Sequence, residues 1–141
     1  MPVSRKLLCA VYAAIAIAAL VATWSQNVAY VDHMASFVTD FFADTKVTPA
    51  SRSITVDIFL FSLAAAILMV IEARKHGVRF VWAYIIGSMF TAISVTFPLF
   101  LIARELRLAE TAATRLKVVD VILLAVLAVG IVGVVVYVDV S

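Results

Sequence analysis

Cysteine occurs once in the 141 residues, at Cys9. A single thiol excludes an intramolecular disulfide and a Cys-rich metal centre. Its place at the start of an apolar run makes it a small buried hydrophobe, not a reactive thiol. Histidine is nearly as scarce. His33 with Asp40 and Asp44 could be read as a metal site, but no second His or Cys completes a ligand set. These residues read as a solvated acidic face, and neither a metal nor a cofactor is expected. Charge is the third shortage: Asp, Glu, Lys and Arg make up 14% of the chain, against roughly 25% in soluble domains. The net charge of +2 is small, and the basic residues flank apolar runs without forming a patch, which excludes nucleic acid as a partner.

What the chain does have is apolar surface, with 65% hydrophobic residues. A chain this short could not hide that surface from water, so lipid is the expected solvent for much of it. Four runs are long enough to cross a bilayer as helices, at about residues 7–24, 54–71, 80–103 and 118–138. The first follows Arg5 and Lys6 and is longer than a signal-peptide core, so it reads as a retained membrane helix. Ala10, Ala14, Ala18 and Ala22 recur along it every four residues, a small-residue stripe that lets helices approach closely. Gly130 and Gly133 thin one side of the last run in the same way. Between the first two runs, residues of about 30–43 alternate apolar and acidic faces at helical spacing and form an amphipathic surface helix. Pro49 closes that connection, with Ser51 or Ser53 as the cap of the next helix. The expected architecture is all-α: an integral membrane four-helix bundle in one domain, with an additional amphipathic surface helix in the first connection.

Polar residues inside the runs need a reason. Pro98 cannot donate to the carbonyl of Ser94, which predicts a kink in the third helix. Asp57 lies one turn inside the second run. An acid at mid-bilayer costs about 2.5–3.5 kcal/mol, and less near the interface. Its short side chain cannot snorkel, so a cation at the same depth is expected. Threading four antiparallel helices places the end of the third beside the start of the second, which makes Arg104 the first candidate partner and Arg52 the second. Glu72 lies about 22 Å away along the same helix. The two acids cannot share one bond as an acid–base pair, and Glu72 reads as a solvated ion pair among Arg74 and Lys75. Asp57, Arg52, Ser94, Pro98 and Arg104 thus form the candidate ligand-binding group.

Orientation is poorly marked under this threading. Arg5, Lys6, Arg74, Lys75 and Arg79 would share one face, and Lys46, Arg52, Arg104, Arg107, Arg115 and Lys117 the other. The basic start of the first helix favours both termini in the cytoplasm, with the chain in the plasma (inner) membrane.

The central block, "FFADT", "SRSITVDIF", "IEARKHGVRFVWAY" and "ISVTFPLFLIARELRL", resembles a bacterial family of small integral membrane proteins known only as a domain of unknown function. The matching positions are Phe41, Phe42, Ala43, Asp44, Ser51, Asp57, Glu72, Ala73, Arg74, Trp82, Ser94, Pro98, Leu99, Phe100, Leu101, Arg104 and Glu105. The resemblance spans roughly residues 7–108 and implies three helices there, with the last helix outside it. A shorter likeness, in the Ser94 and Phe97-Pro98-Leu99-Phe100 pattern with Arg104, is to membrane proteins of carotenoid and terpene cyclisation.

Two functions are carried forward. The favoured one is non-enzymatic: an accessory or oligomer-forming bundle that packs with a protein partner, a second copy or membrane lipid. Its packing surfaces are the alanine stripe and Gly130 with Gly133. The alternative is a membrane enzyme or carrier that binds a lipophilic, isoprenoid-like molecule around Asp57, Ser94, Pro98 and Arg104.

Overall fold

A computed structural model describes residues 3–108 and 116–140. Arg115, counted above among the basic flanks, lies outside them. The described residues are helical with no strand. They fall into two units, Met1–Arg107 and Leu108–Ser141.

The first unit opens with α1, Val3–Asn27, which passes into a 3-10 turn over Val28–His33. A short helix, α2, follows at Phe37–Asp44. The expected amphipathic helix is therefore present in two pieces. Ser36 interrupts it: its hydroxyl donates to Asp40 Oδ2 at 2.6 Å, and its backbone N–H donates to the His33 carbonyl. Such local bonds compete with a continuous helix. Tyr30, Phe37 and Phe41 gather around the interruption in edge and stacked contacts, and Phe42 stacks on Phe59 of the following helix.

That helix, α3, spans Pro49–His76. Its start is set by Thr48, not by the serines expected to cap it. The Thr48 hydroxyl accepts from the Ser51 N–H at 3.0 Å, while Ser51 Oγ accepts from the Thr48 N–H at 3.1 Å. This is a capping box, and Pro49 occupies the first helical position, where no N–H is needed. The helix stops at Gly77, whose φ of 68° closes the last turn in a left-handed conformation.

The largest departure from expectation follows. Residues 80–103 do not form one spanning helix. They form α4, Val81–Ser88, and α5, Ile93–Glu105. The interruption at Met89–Ala92 lies upstream of Pro98, which stays within α5. Thus the expected four-helix bundle gives way to three helices long and apolar enough to cross a membrane, among six helices in all among the described residues. At the break, Ser88 Oγ donates to the Ile85 carbonyl at 2.6 Å and Thr91 Oγ1 to the Gly87 carbonyl at 3.0 Å, while the Met89 and Phe90 N–H groups turn to the Ile86 and Gly87 carbonyls in a tightened last turn. Ala92 then reverses the chain at φ 148°, ψ 151°, a region that essentially only glycine occupies without strain.

After the reversal, α4 and α5 lie side by side as a hairpin. A Cβ added to Gly87 would stand 3.8 Å from Thr96 Cγ2. At the other end of the pair, Arg107 Nη1 donates to the Gly77 carbonyl at 2.8 Å. The core forms where this hairpin meets α3: Ala65, Met69 and Ala73 of α3 with Val78, Val81, Ile93 and Phe100. Met69 and Phe100 have no exposed surface at all, and Tyr84 meets Phe100 edge-on at 5.9 Å between ring centroids. The core is small. Most Leu, Ile and Val side chains on α1 and α3 are exposed, as expected of helices whose outer faces meet lipid.

Among its described residues the second unit holds one helix, α6, Val118–Val140, with no buried residue. The Lys117 N–H donates to Asp120 Oδ2 at 3.1 Å at its start. Its many valines would favour a strand in water, but a bilayer leaves an unpaired backbone no partner except its own helix.

The strain at Ala92 is directly testable. Replacing Ala92→Gly is expected to raise stability by about 1 kcal/mol, since the new residue reaches this φ, ψ freely. Equilibrium unfolding in detergent micelles measures it, and an unchanged or lowered midpoint would show that Ala92 is not strained.

Candidate functional site

The polar residues converge at the end of the bundle where α1 begins and α3 and α5 finish. Arg5 lies on the first turns of α1 and is only 5% exposed. Glu105, the last residue of α5, is 6% exposed. Their side chains meet, with Arg5 Nε donating to Glu105 Oε2 at 3.3 Å. The other Glu105 oxygen accepts from Arg104 Nη1 at 3.1 Å. Arg104 in turn donates through Nε to Glu72 Oε2, on α3. A chain of alternating charge therefore runs Arg5–Glu105–Arg104–Glu72 and ties three helices together. His76 Nε2 lies 3.3 Å from Glu72 Oε2 without hydrogen-bond geometry, and Lys75 Nζ is 4.0 Å from Glu72 Oε1.

Each link has a local origin. Glu72 and His76 share a face because they are four residues apart on α3, and Lys75 is three away. Arg104 and Glu105 are sequence neighbours, so their side chains diverge by about 100° around α5. One can therefore turn to α3 and the other to α1. Both glutamates are held as hydrogen-bond acceptors by guanidinium groups, the stronger charge-assisted form of the bond. That arrangement is a clamp. Both Glu105 oxygens accept hydrogen bonds, whereas Glu72 accepts through Oε2 alone; no group of three His, Cys, Asp or Glu among the described residues is placed to hold a metal ion.

The expected ligand group is not brought together. Arg104 pairs with Glu72 and Glu105, not with Asp57. Asp57 is exposed near the opposite end of α3, about 22 Å from Glu72 along the helix axis. Arg52 stays at that same far end, where its Nε donates to the Lys46 carbonyl at 2.7 Å. Ser94 is exposed and Pro98 buried, both on α5 about ten and six residues before Arg104. The cause of the displacement is the break at Met89–Ala92: a hairpin returns Arg104 to the end it came from, whereas one continuous helix would have carried it to Asp57. Glu72, expected to be solvated, has a side chain only 14% exposed.

The expected packing residues also sort differently. On α1 the side turned to α5 carries Arg5, Cys9, Tyr12 and Ala16, with Ala16 4% exposed. Ala10, Ala14 and Ala18 lie on the other side and are exposed, while Ala22 is half-buried. On α6, Gly130 and Gly133 have open space where a Cβ would stand. Val126, Leu127, Gly130, Ile131, Val134 and Val135 share one exposed apolar face of α6.

Arg5 and Glu105 are the residues that reading the sequence missed. Arg5 looked like a basic flank of a membrane helix, and nothing in the chain links it to a residue 100 positions away. Glu105, beside Arg104 at the end of an apolar run, was the one available signal.

The clamp makes a measurable claim. Replacing Glu105→Leu leaves Arg5 buried without its acceptor and is expected to cost about 3 kcal/mol or more. The double replacement Arg5→Met with Glu105→Leu is expected to recover much of that loss, because both charges leave together. Unfolding of the purified protein in mixed micelles reads both. Equal losses in the single and double variants would show that the pair is not coupled.

No curated protein and no solved structure matches this chain, and the likeness to carotenoid- and terpene-cyclising membrane proteins is not shown. The profile of one family, described as "Protein of unknown function DUF2834", matches residues 11–106. That segment runs from the third turn of α1 to the residue after α5 and includes Glu72, Arg104 and Glu105 but not α6. The chain belongs to the DUF2834 family of proteins of unknown function.

Proposed function

We propose that this protein is a non-enzymatic membrane bundle of the plasma (inner) membrane that docks a partner helix, either a second copy or another membrane protein, with lipid covering its remaining apolar faces. The observation that carries this reading is the two-sided construction of α1. One side is committed to α5 inside the bundle. The other exposes Ala10, Ala14 and Ala18 in a row. In lipid there is no hydrophobic drive to bring helices together, so a smooth row of small residues matters for the close backbone approach it permits. Gly130 and Gly133 on α6 offer a second surface of the same kind.

This reading is preferred to an enzyme or carrier for an isoprenoid-like molecule because the residues named for such a site lie apart. Asp57 and Arg52 lie towards one end of the bundle, Arg104 at the other, and Ser94 and Pro98 at intermediate positions. The groups that do converge, Arg5, Glu72, Arg104 and Glu105, are engaged with one another.

Native mass spectrometry of the detergent-extracted protein tests the proposal, since it reports subunit stoichiometry and retained partners together. Ala14→Leu is expected to weaken the assembly at least tenfold while leaving unfolding of the bundle unchanged, because Ala14 faces away from the core. Val11→Leu serves as a conservative control. Retention of the same assembly in both Ala14→Leu and Gly130→Leu would sink the idea.

A further inference from the structure

The α4–α5 hairpin changes how the chain can be threaded through a membrane. As one straight helix, residues 77 to 107 would rise about 45 Å. Instead, Arg107 hydrogen-bonds to the Gly77 carbonyl at 2.8 Å. The chain enters and leaves this hairpin at the same end, beside Glu72 and Arg5. The eight residues of α4 reach only about 12 Å, less than half of the roughly 30 Å hydrocarbon core. Interrupted backbone at membrane depth is tolerated when the protein itself satisfies the freed groups. Here Ser88 and Thr91 cover carbonyls of α4, and the Ala92 carbonyl accepts from the N–H groups of Val95 and Thr96.

We infer that α4–α5 is a re-entrant hairpin that dips in from the cytoplasmic face without crossing. The chain then crosses three times, through α1, α3 and α6, and its C-terminal end lies on the face opposite its N-terminus. This rests on the membrane placement of the chain and not on the docking partner proposed above.

Charge decides the direction. With a re-entrant hairpin, Arg5, Lys6, Arg74, Lys75, Arg79, Arg104 and Arg107 all belong to one face, and Lys46 and Arg52 to the other. Under four crossings the same residues were nearly balanced. Lys and Arg accumulate on the cytoplasmic side of membrane helices, so the face of Arg5 is cytoplasmic. The basic flank of α6 gives a consistent direction: Arg115 and Lys117 precede it, which sets its start in the cytoplasm.

Single-cysteine labelling of the full chain in its native membrane is the test. Cys9→Ala removes the one native thiol, and one cysteine is then introduced at a time as Ala35→Cys, Arg79→Cys or Leu106→Cys. A membrane-impermeant maleimide is applied to intact spheroplasts and to inside-out vesicles. The expected result is that Arg79→Cys and Leu106→Cys label only in inside-out vesicles, and Ala35→Cys only in spheroplasts. A reporter fused after Ser141, active only outside the cytoplasm, is expected to be active. Labelling of positions 79 and 106 from opposite sides would show that α4–α5 crosses, and an inactive reporter would show that α6 does not cross outward. Either result overturns the three-crossing arrangement. Each variant's retention of the wild-type unfolding midpoint confirms that a labelled chain is a folded one.

Discussion

The bundle depends on one constraint: Arg104 and Glu105 must stand at the end of the molecule where α3 finishes and α1 begins. From there, adjacent side chains on α5 reach two different helices, Arg104 to Glu72 and Glu105 to Arg5. Apolar packing alone would hold these helices loosely. The core of unit one has two fully buried large side chains, Met69 and Phe100, and in lipid the outer faces gain nothing by leaving their solvent. Directional, charge-assisted bonds at nearly dry positions supply the registration that a small core does not. A buried ion pair is a costly way to stabilise a fold, since both charges must shed water. Its stronger role is to forbid alternatives: any sliding of α1 along α5 would leave Arg5 or Glu105 buried and alone.

The hairpin and the clamp require each other. The reversal at Met89–Ala92 is strained at Ala92 and ends the helical ladder of α4, beside which the Ser88 and Thr91 hydroxyls add only local bonds. What holds the two arms together is at their open end, where Arg107 reaches the Gly77 carbonyl, and in the shared core of Tyr84, Val81 and Phe100. Gly77 matters here for its left-handed φ of 68°, which turns the chain from α3 into α4 within a few residues. A long connection would have let α4 start elsewhere on the bundle.

Function follows from which faces this arrangement uses up. The charged residues that meet are satisfied by one another. The outer side of α1 is left apolar and exposed, and the family match runs through α5 and stops short of α6.

The sequence by itself determined the all-helical, membrane class of the protein and three of the four spanning helices expected of it. Hydrophobicity over 18 or more residues is a local property, and α1, α3 and α6 each extend past the limits expected of them without changing type. Capping was nearly legible as well: Pro49 marked the start of α3 and Ser51 took part in its box, although Thr48 is the cap. The tertiary structure decided what the 80–103 run does. Its apolar character suits a spanning helix and a hairpin equally. Neither Gly87, Thr91 nor Ser94 signals a reversal, and Pro98 lies beyond it, inside α5. Reversal wins because it sets Phe100 against Met69 and delivers Arg104 and Glu105 to Glu72 and Arg5, contacts between residues up to 100 positions apart. Periodicity reads the solvent of each segment; which segments meet depends on pairing energies between distant residues, and those exist only once the chain has folded.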